Sequence, residues 1–337
     1  MRRLVTILLV IIAAAANAQE VDRIMFGSCL VQTRAHPILS VVLEREPAAF
    51  IFLGDNVYAD SDNPDAIRRA YEILGSSPLV REVRRTTEVL AIWDDHDYGR
   101  NDAGREFPAR EASEAIFESV WDVSGAAAER PGIYRSVMLG TSGRRIQVVL
   151  LDTRFFRSPL PRAVSRPAGK GPYGRDGGTL LGEAQWAWLE QTLREPADFR
   201  IIASSIQVLA EHHGWESWAN FPDERARLLS LLGDSDAPLV IISGDRHFAE
   251  ISRRTVSADE GRGVLVDITS SAINRRYPEE TPTANDRRVG GYYLDHNVGE
   301  LEFVWPDGGG PPIVHARILD ETGDVRLSYE LKPEGSW

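Results

Sequence analysis

The chain has 337 residues, 43% of them hydrophobic, which is enough to bury a sizeable core in one large domain or two smaller ones. Against 38 basic residues stand 50 acidic ones, a net charge of −12. That balance speaks against a general binder of nucleic acid or anionic membrane, because counterion release needs a basic face; a few local cations can still receive a small anion.

The first segment reads as a leader. Arg2 and Arg3 precede the apolar run LVTILLVIIAAAA, and Ala16, Asn17 and Ala18 give a small-x-small cleavage pattern. The run is shorter than a bilayer span requires. Residues 1–18 are therefore expected to be a cleaved signal peptide, with export to the periplasm or beyond and no membrane span in the mature chain. The single cysteine, Cys29, cannot form an internal disulfide. Taken alone it is either a small buried hydrophobe or a metal ligand or nucleophile.

Downstream, short runs that are apolar throughout alternate with helical patterns. RIMFGS (23–28) reads as a buried strand and is followed by a helix over 36–46. AFIFLGD (49–55) is the next strand. Two helices follow, each opened by a capping residue and a proline: Asn63 with Pro64, then Ser77 with Pro78. VLAIWDD (89–95), RIQVVLLDTR (145–154), RIIASS (200–205) and PLVIISGD (238–245) continue the strand series. Helices are predicted over 182–195, with Trp186, Leu189 and Leu193 on one face, and over 223–232. The C-terminal runs GVLVDITSS, GELEFVWPD and PIVHARILDETGDVRLSYEL read as consecutive strands, the last with a hairpin at 321–324. They are expected to complete a second sheet packed on the first. The polar stretch 161–178 reads as a rim or lid. The alternation argues α/β, with residues 19–337 as a single domain.

Chemistry is concentrated where the strands end. The first ends in Gly27-Ser28-Cys29. The second ends in Gly54-Asp55-Asn56, with Tyr58 and Asp60 close behind. The third ends in Asp94-Asp95-His96-Asp97, and the sixth in Gly244-Asp245-Arg246-His247. Ligands of open α/β folds bind outside the carboxyl ends of strands. Carboxylates gathered there repel and would take up protons unless cations hold them ionised. Two metals can clamp a displacement at phosphorus, and a nearby histidine can protonate the leaving oxygen.

These motifs resemble the alkaline phosphatase D-like branch of the metallophosphoesterases. FGSC (26–29), LGDNVYAD (53–60), WDDHDYGRND (93–102), LLDTRFFR (150–157), SSIQVL (204–209), ESWANFPDER (216–225) and SGDRHFAE (243–250) occur in the family's order. The resemblance implies a four-layer αββα fold, a two-sheet sandwich flanked by helices. It implies hydrolysis of phosphate mono- or diesters by metal-activated water, with His96 as general acid. Cys29, Asp55, Tyr58, Asp95, Asp245 and His247 would be metal ligands, Asp55 bridging. Two or more metal ions are implied, iron and calcium foremost, since one thiolate among hard oxygens suits a mixed site. Arg154 and Arg246 could bind phosphate oxygens. His212 or His213 could add a ligand, and Glu216 and Trp218 could line the mouth. No β-sandwich domain is expected ahead of the catalytic one. The competing reading is an exported, non-catalytic calcium-binding protein, in which Cys29 has no role.

Overall fold

The structure, a computed structural model, describes residues 20–165, 170–211, 213–256, 263–276 and 284–332. The expected leader and His212 lie outside these residues.

In chain order, β1 (Arg23–Gly27), α1 (Leu39–Arg45), β2 (Ala49–Leu53), α2 (Pro64–Ser76), α3 (Pro78–Thr86) and β3 (Glu88–Ile92) alternate as predicted. The two caps are formed: Asn63 accepts from the Asp65 amide and Ser77 from that of Val80. A single helical turn, α4 (Asp95–Tyr98), and α5 (Arg110–Val120) follow, then β4 (Arg135–Leu139), β5 (Ile146–Leu150), α6 (Gly182–Thr192), β6 (Phe199–Ala203), α7 (Pro222–Gly233) and β7 (Leu239–Ser243). The chain closes with β8 (Ala249–Thr255), β9 (Val264–Ser270), β10 (Arg288–Tyr293), β11 (Val298–Val304), β12 (Ile313–Leu319) and β13 (Val325–Leu331).

These strands form two mixed sheets, ordered β13-β12-β11-β1-β2-β3 and β10-β8-β9-β7-β6-β5-β4. One sequence expectation is corrected here. Of the C-terminal runs, only β9 enters the second sheet. β11, β12 and β13 extend the first, with β11 antiparallel on the edge of β1, Arg23 opposite Glu302. That edge would otherwise expose a row of unpaired backbone groups.

The second sheet shows why both faces are apolar. Val148, Leu150, Ile201, Ala203, Val240 and Ile242 face the core between the sheets. Their neighbours Val149, Ile202 and Ile241 point the other way, onto Trp186 and Leu189 of α6 and Leu228 and Leu232 of α7. Period-two alternation thus buries both faces. Each such aliphatic side chain contributes about 1.5–3 kcal/mol by leaving water. Across the sandwich the rings of Phe199 and Phe303 meet at 5.2 Å, edge to face. β1, β2 and β3 run parallel to one another, as do β5, β6, β7 and β9. Among the described residues no helix is long and apolar enough to cross a membrane.

Candidate active site

The carboxyl ends of the parallel strands deliver the functional side chains. After β1 and β2 the ladder runs on for one step, the Cys29 amide donating to Gly54 O and that of Leu30 to Asp55 O. Here the backbone turns over. Cys29, Asp55, Asp245 and His247 all have left-handed φ, from 52° to 68°. Non-glycine residues rarely adopt that region, and each costs on the order of 1–3 kcal/mol unless its surroundings enforce it. Four such residues at three strand ends mark a cleft built for placement of side chains. Gly54 makes the approach possible. Its φ is +94°, and an added Cβ would lie 2.6 Å from Asp94 Cβ.

Three groups bring their donor atoms within 4.8 Å of one another: Cys29, Asp55 and His247; Asp55, Asp95 and His96; and Asp95, Asp102 and Glu216. Asp55 belongs to the first two. Tyr58 joins them, its hydroxyl donating to Asp55 Oδ2 at 2.8 Å and lying 3.3 Å from His247 Nε2. Cys29 Sγ is 3.4 Å from the same Asp55 oxygen. Asp245 shares this pocket electrostatically, adding its charge to those acting on Asp55 and Cys29. Asp95 is held by the amides of His96 and Asp102, at 2.9 and 2.6 Å.

Burial of so many acids leaves the pocket short of positive charge. Burial pushes the Asp55 carboxyl well up; His96 opposes this, while Asp95, Asp97 and Asp245 add to the rise. Burial raises the Cys29 thiol, and Asp55 adds to it. Tyr58 is raised by burial, then by Asp55. Asp245 is raised by burial against the opposing pull of Arg246. Asp95 goes the other way: His96, Arg154 and the Asp102 amide outweigh burial and keep it below the usual carboxylate range. Burial followed by Arg275 and Arg246 pulls His247 down to about 3, so its imidazole is neutral and able to ligate. For His96, burial works downward, but Asp95, Asp55 and Asp60 carry it up to about 11.

The structure gives contacts to residues whose partners the sequence left open. Asp60 Oδ1 sits 2.5 Å from His96 Nδ1. It closes the LGDNVYAD motif, but nothing local to that motif says that it meets His96. Ser271, after β9, lies 3.1 Å from Cys29 Sγ and accepts from the His247 amide. Asp97 braces the turn by accepting from the Asp94 and Asn56 amides and from Tyr71.

Arg154, expected at the substrate, is fully buried. Its guanidinium is committed to Asp94, which also accepts from Ser205, and to Glu216 at 2.7 Å. Arg157 reaches Glu216 as well, at 3.1 Å. A guanidinium so enclosed braces the wall and has no open face for a phosphate. Arg246 differs: its nearest carboxylate oxygen, on Asp245, is 3.8 Å away, and its buried Nε has no hydrogen-bond partner. His213 accepts from the Trp215 amide at 3.0 Å and belongs to none of the three donor groups. Trp218 is core, donating its indole N–H to Ser204.

The donor set fits metal ions. Asp55 Oδ1 is buried without a hydrogen-bond partner, and thiol, phenol and imidazole donors stand beside hard carboxylates. Comparison with known proteins agrees with this chemistry. The PhoD-like phosphatase family matches residues 32–304. The chain belongs to the PhoD-like phosphatases. Such phosphatases are hydrolases of phosphoric ester bonds, acting on small phosphoesters. Among solved structures, PhoD aligns with a TM-score of 0.65 at 16% identity, covering 95% of this chain and 74% of its own. GAP50, the anchor in the inner membrane complex of Plasmodium, aligns with a TM-score of 0.59 at 14% identity, covering 94% and 90%. No curated protein matches the chain. An anchor and a phosphatase thus share this fold, so for this PhoD-like phosphatase the site residues, rather than the architecture, carry the functional argument.

Proposed function

We propose that the chain is an exported, metal-dependent phosphoesterase whose residues 19–337 act as one catalytic unit, with 1–18 as the leader. The observation that carries this is the sharing of Asp55 between two adjacent donor groups, beside a histidine held by its own carboxylate. Cys29, Tyr58, His247 and Asp245, with Asp55, would hold one cation, and the softer donors favour iron. Asp55 and Asp95 would hold a second, harder ion such as calcium. Bound there, such ions would offset the carboxylates, acidify a water and take up charge on the phosphoryl oxygens.

The chain's own residues supply the rest. Asp60 occupies His96 Nδ1, which leaves Nε2 as the atom that carries a proton to the departing oxygen. The Tyr58 ring lies 4.3 Å from that of His96 and limits its tilt. Arg246, with a buried and unpaired Nε, is suited to a non-bridging phosphate oxygen. Mono- and diesters both fit this machinery.

Two measurements test the reading. Purified protein is assayed on aryl mono- and diesters, and its metal content is determined. We expect turnover that falls by at least about 100-fold in His96→Ala, and iron that is lost in Cys29→Ser. Turnover equal to that of an Asp55→Ala, His96→Ala double variant would refute it.

A further inference from the structure

The mouth of the site carries a second arginine, from a different element. Arg275 follows β9, five residues past its end at Ser270. Its guanidinium carbon lies 4.2 Å from the centroid of the Tyr58 ring. Tyr58 in turn contacts both Asp55 and His247. Arg275 makes no ion pair with a carboxylate among the described residues, although its chain neighbour Arg276 pairs with Asp295. Arg246 arrives on the loop after β7, has its buried Nε unpaired and faces the Trp215 ring at 5.9 Å. In a chain with surplus acid, a cation with no carboxylate partner among the described residues is available to another anion. A guanidinium presents a planar fork that suits phosphate oxygens, and an aromatic face fixes it at little entropic cost.

We propose that Arg275, seated on Tyr58, acts with Arg246 as a two-guanidinium clamp on the non-bridging oxygens of the substrate phosphate, and is the residue that favours dianionic monoesters over monoanionic diesters. The inference rests on the phosphoesterase reading above and adds the substrate class. The reason is electrostatic. A cation gains more from a doubly charged phosphate than from a singly charged one.

The test compares wild type, Arg275→Gln and Arg275→Lys in their metal-loaded forms. Loss of a charge-assisted hydrogen bond is expected to lower kcat/KM of Arg275→Gln about 30-fold for an aryl monoester but only about 5-fold for the matching diester. Arg275→Lys keeps the charge and should recover most of the monoester preference. Thermal midpoint and metal content should not move. An equal fall for both esters together with a lower midpoint would overturn the proposal, since Arg275 would then only seat Tyr58; so would unchanged kinetics. Calorimetry with inorganic phosphate separates this idea from the activity it rests on. If wild type turned over neither ester, the activity reading would fail, yet phosphate binding weakened about tenfold in Arg275→Gln would still support the clamp, and an unchanged Kd would sink it.

Discussion

At the scale of single residues, the chemistry hangs on pairs that are distant in sequence. His96 and Asp60 are 36 positions apart and meet at 2.5 Å. In the proposed mechanism Asp60 would orient the ring that delivers the proton. Asp60→Asn keeps the shape and removes the charge. It should slow turnover by about 10- to 100-fold, less than removal of the general acid itself. The loss should be larger for alkyl esters, whose leaving oxygen needs the proton, than for activated aryl esters. Equal losses across a series of leaving groups would show that Asp60 acts on something other than proton delivery. Gly54 makes a complementary point about backbone. Gly54→Ala would force a Cβ to 2.6 Å from Asp94 Cβ and hold alanine at φ +94°. It should cost at least about 2 kcal/mol in urea denaturation and disturb the site. Gly75→Ala, in the exposed tail of α2 with nothing within 4 Å, should instead be neutral or stabilising by up to about 1 kcal/mol.

At the scale of elements, the strand ends are held by buried polar links that also set pH behaviour. On β9, Asp267 accepts from the Val208 and Leu209 amides and from Ser243, tying the segment after β6 to β7 and β9. Burial pushes its carboxyl up to about 6, against the opposing pull of those donors. An acid whose folded pKa exceeds its unfolded value binds more protons when folded, so its contribution to stability is full below about pH 4 and is lost as pH rises through 6. Asp267→Asn does not titrate. Its destabilisation relative to wild type should therefore be greatest near pH 4 and shrink by roughly 2–3 kcal/mol by pH 7. Urea midpoints across that range would show it, and a cost that grows with pH would contradict it. The elements themselves were partly legible. Helices α2 and α3 announce themselves through Asn63-Pro64 and Ser77-Pro78, because capping is local chemistry. Strands β8 and β10 did not: AEISRRT is mostly polar and RVGGYY carries two glycines, and each is a strand only because a neighbouring strand pairs with it.

At the scale of the whole molecule, two sheets converge their carboxyl ends on one acid-rich cleft, and cations would be the cheapest way to stabilise it. Removal of metal with a chelator should lower the thermal midpoint by about 5 °C at pH 8, the size expected for ligands present at about a hundredfold excess over Kd. Returned metal should restore it. The shift should shrink toward pH 5, where protons compete for the same donors. No shift at pH 8 would mean that the acids are tolerated by some other means. What the sequence by itself determined was the α/β alternation, the strand-end motifs and the set of residue types gathered in them, because periodicity, caps and glycine-acid turns are properties of neighbouring residues. Only the tertiary structure decided that β11 joins the first sheet beside β1, that Arg154 is sealed between Asp94 and Glu216, that Asp60 meets His96, and that Arg275 lies on Tyr58. Those outcomes depend on which strand ends come together across the sandwich, and no local pattern along the chain encodes that convergence.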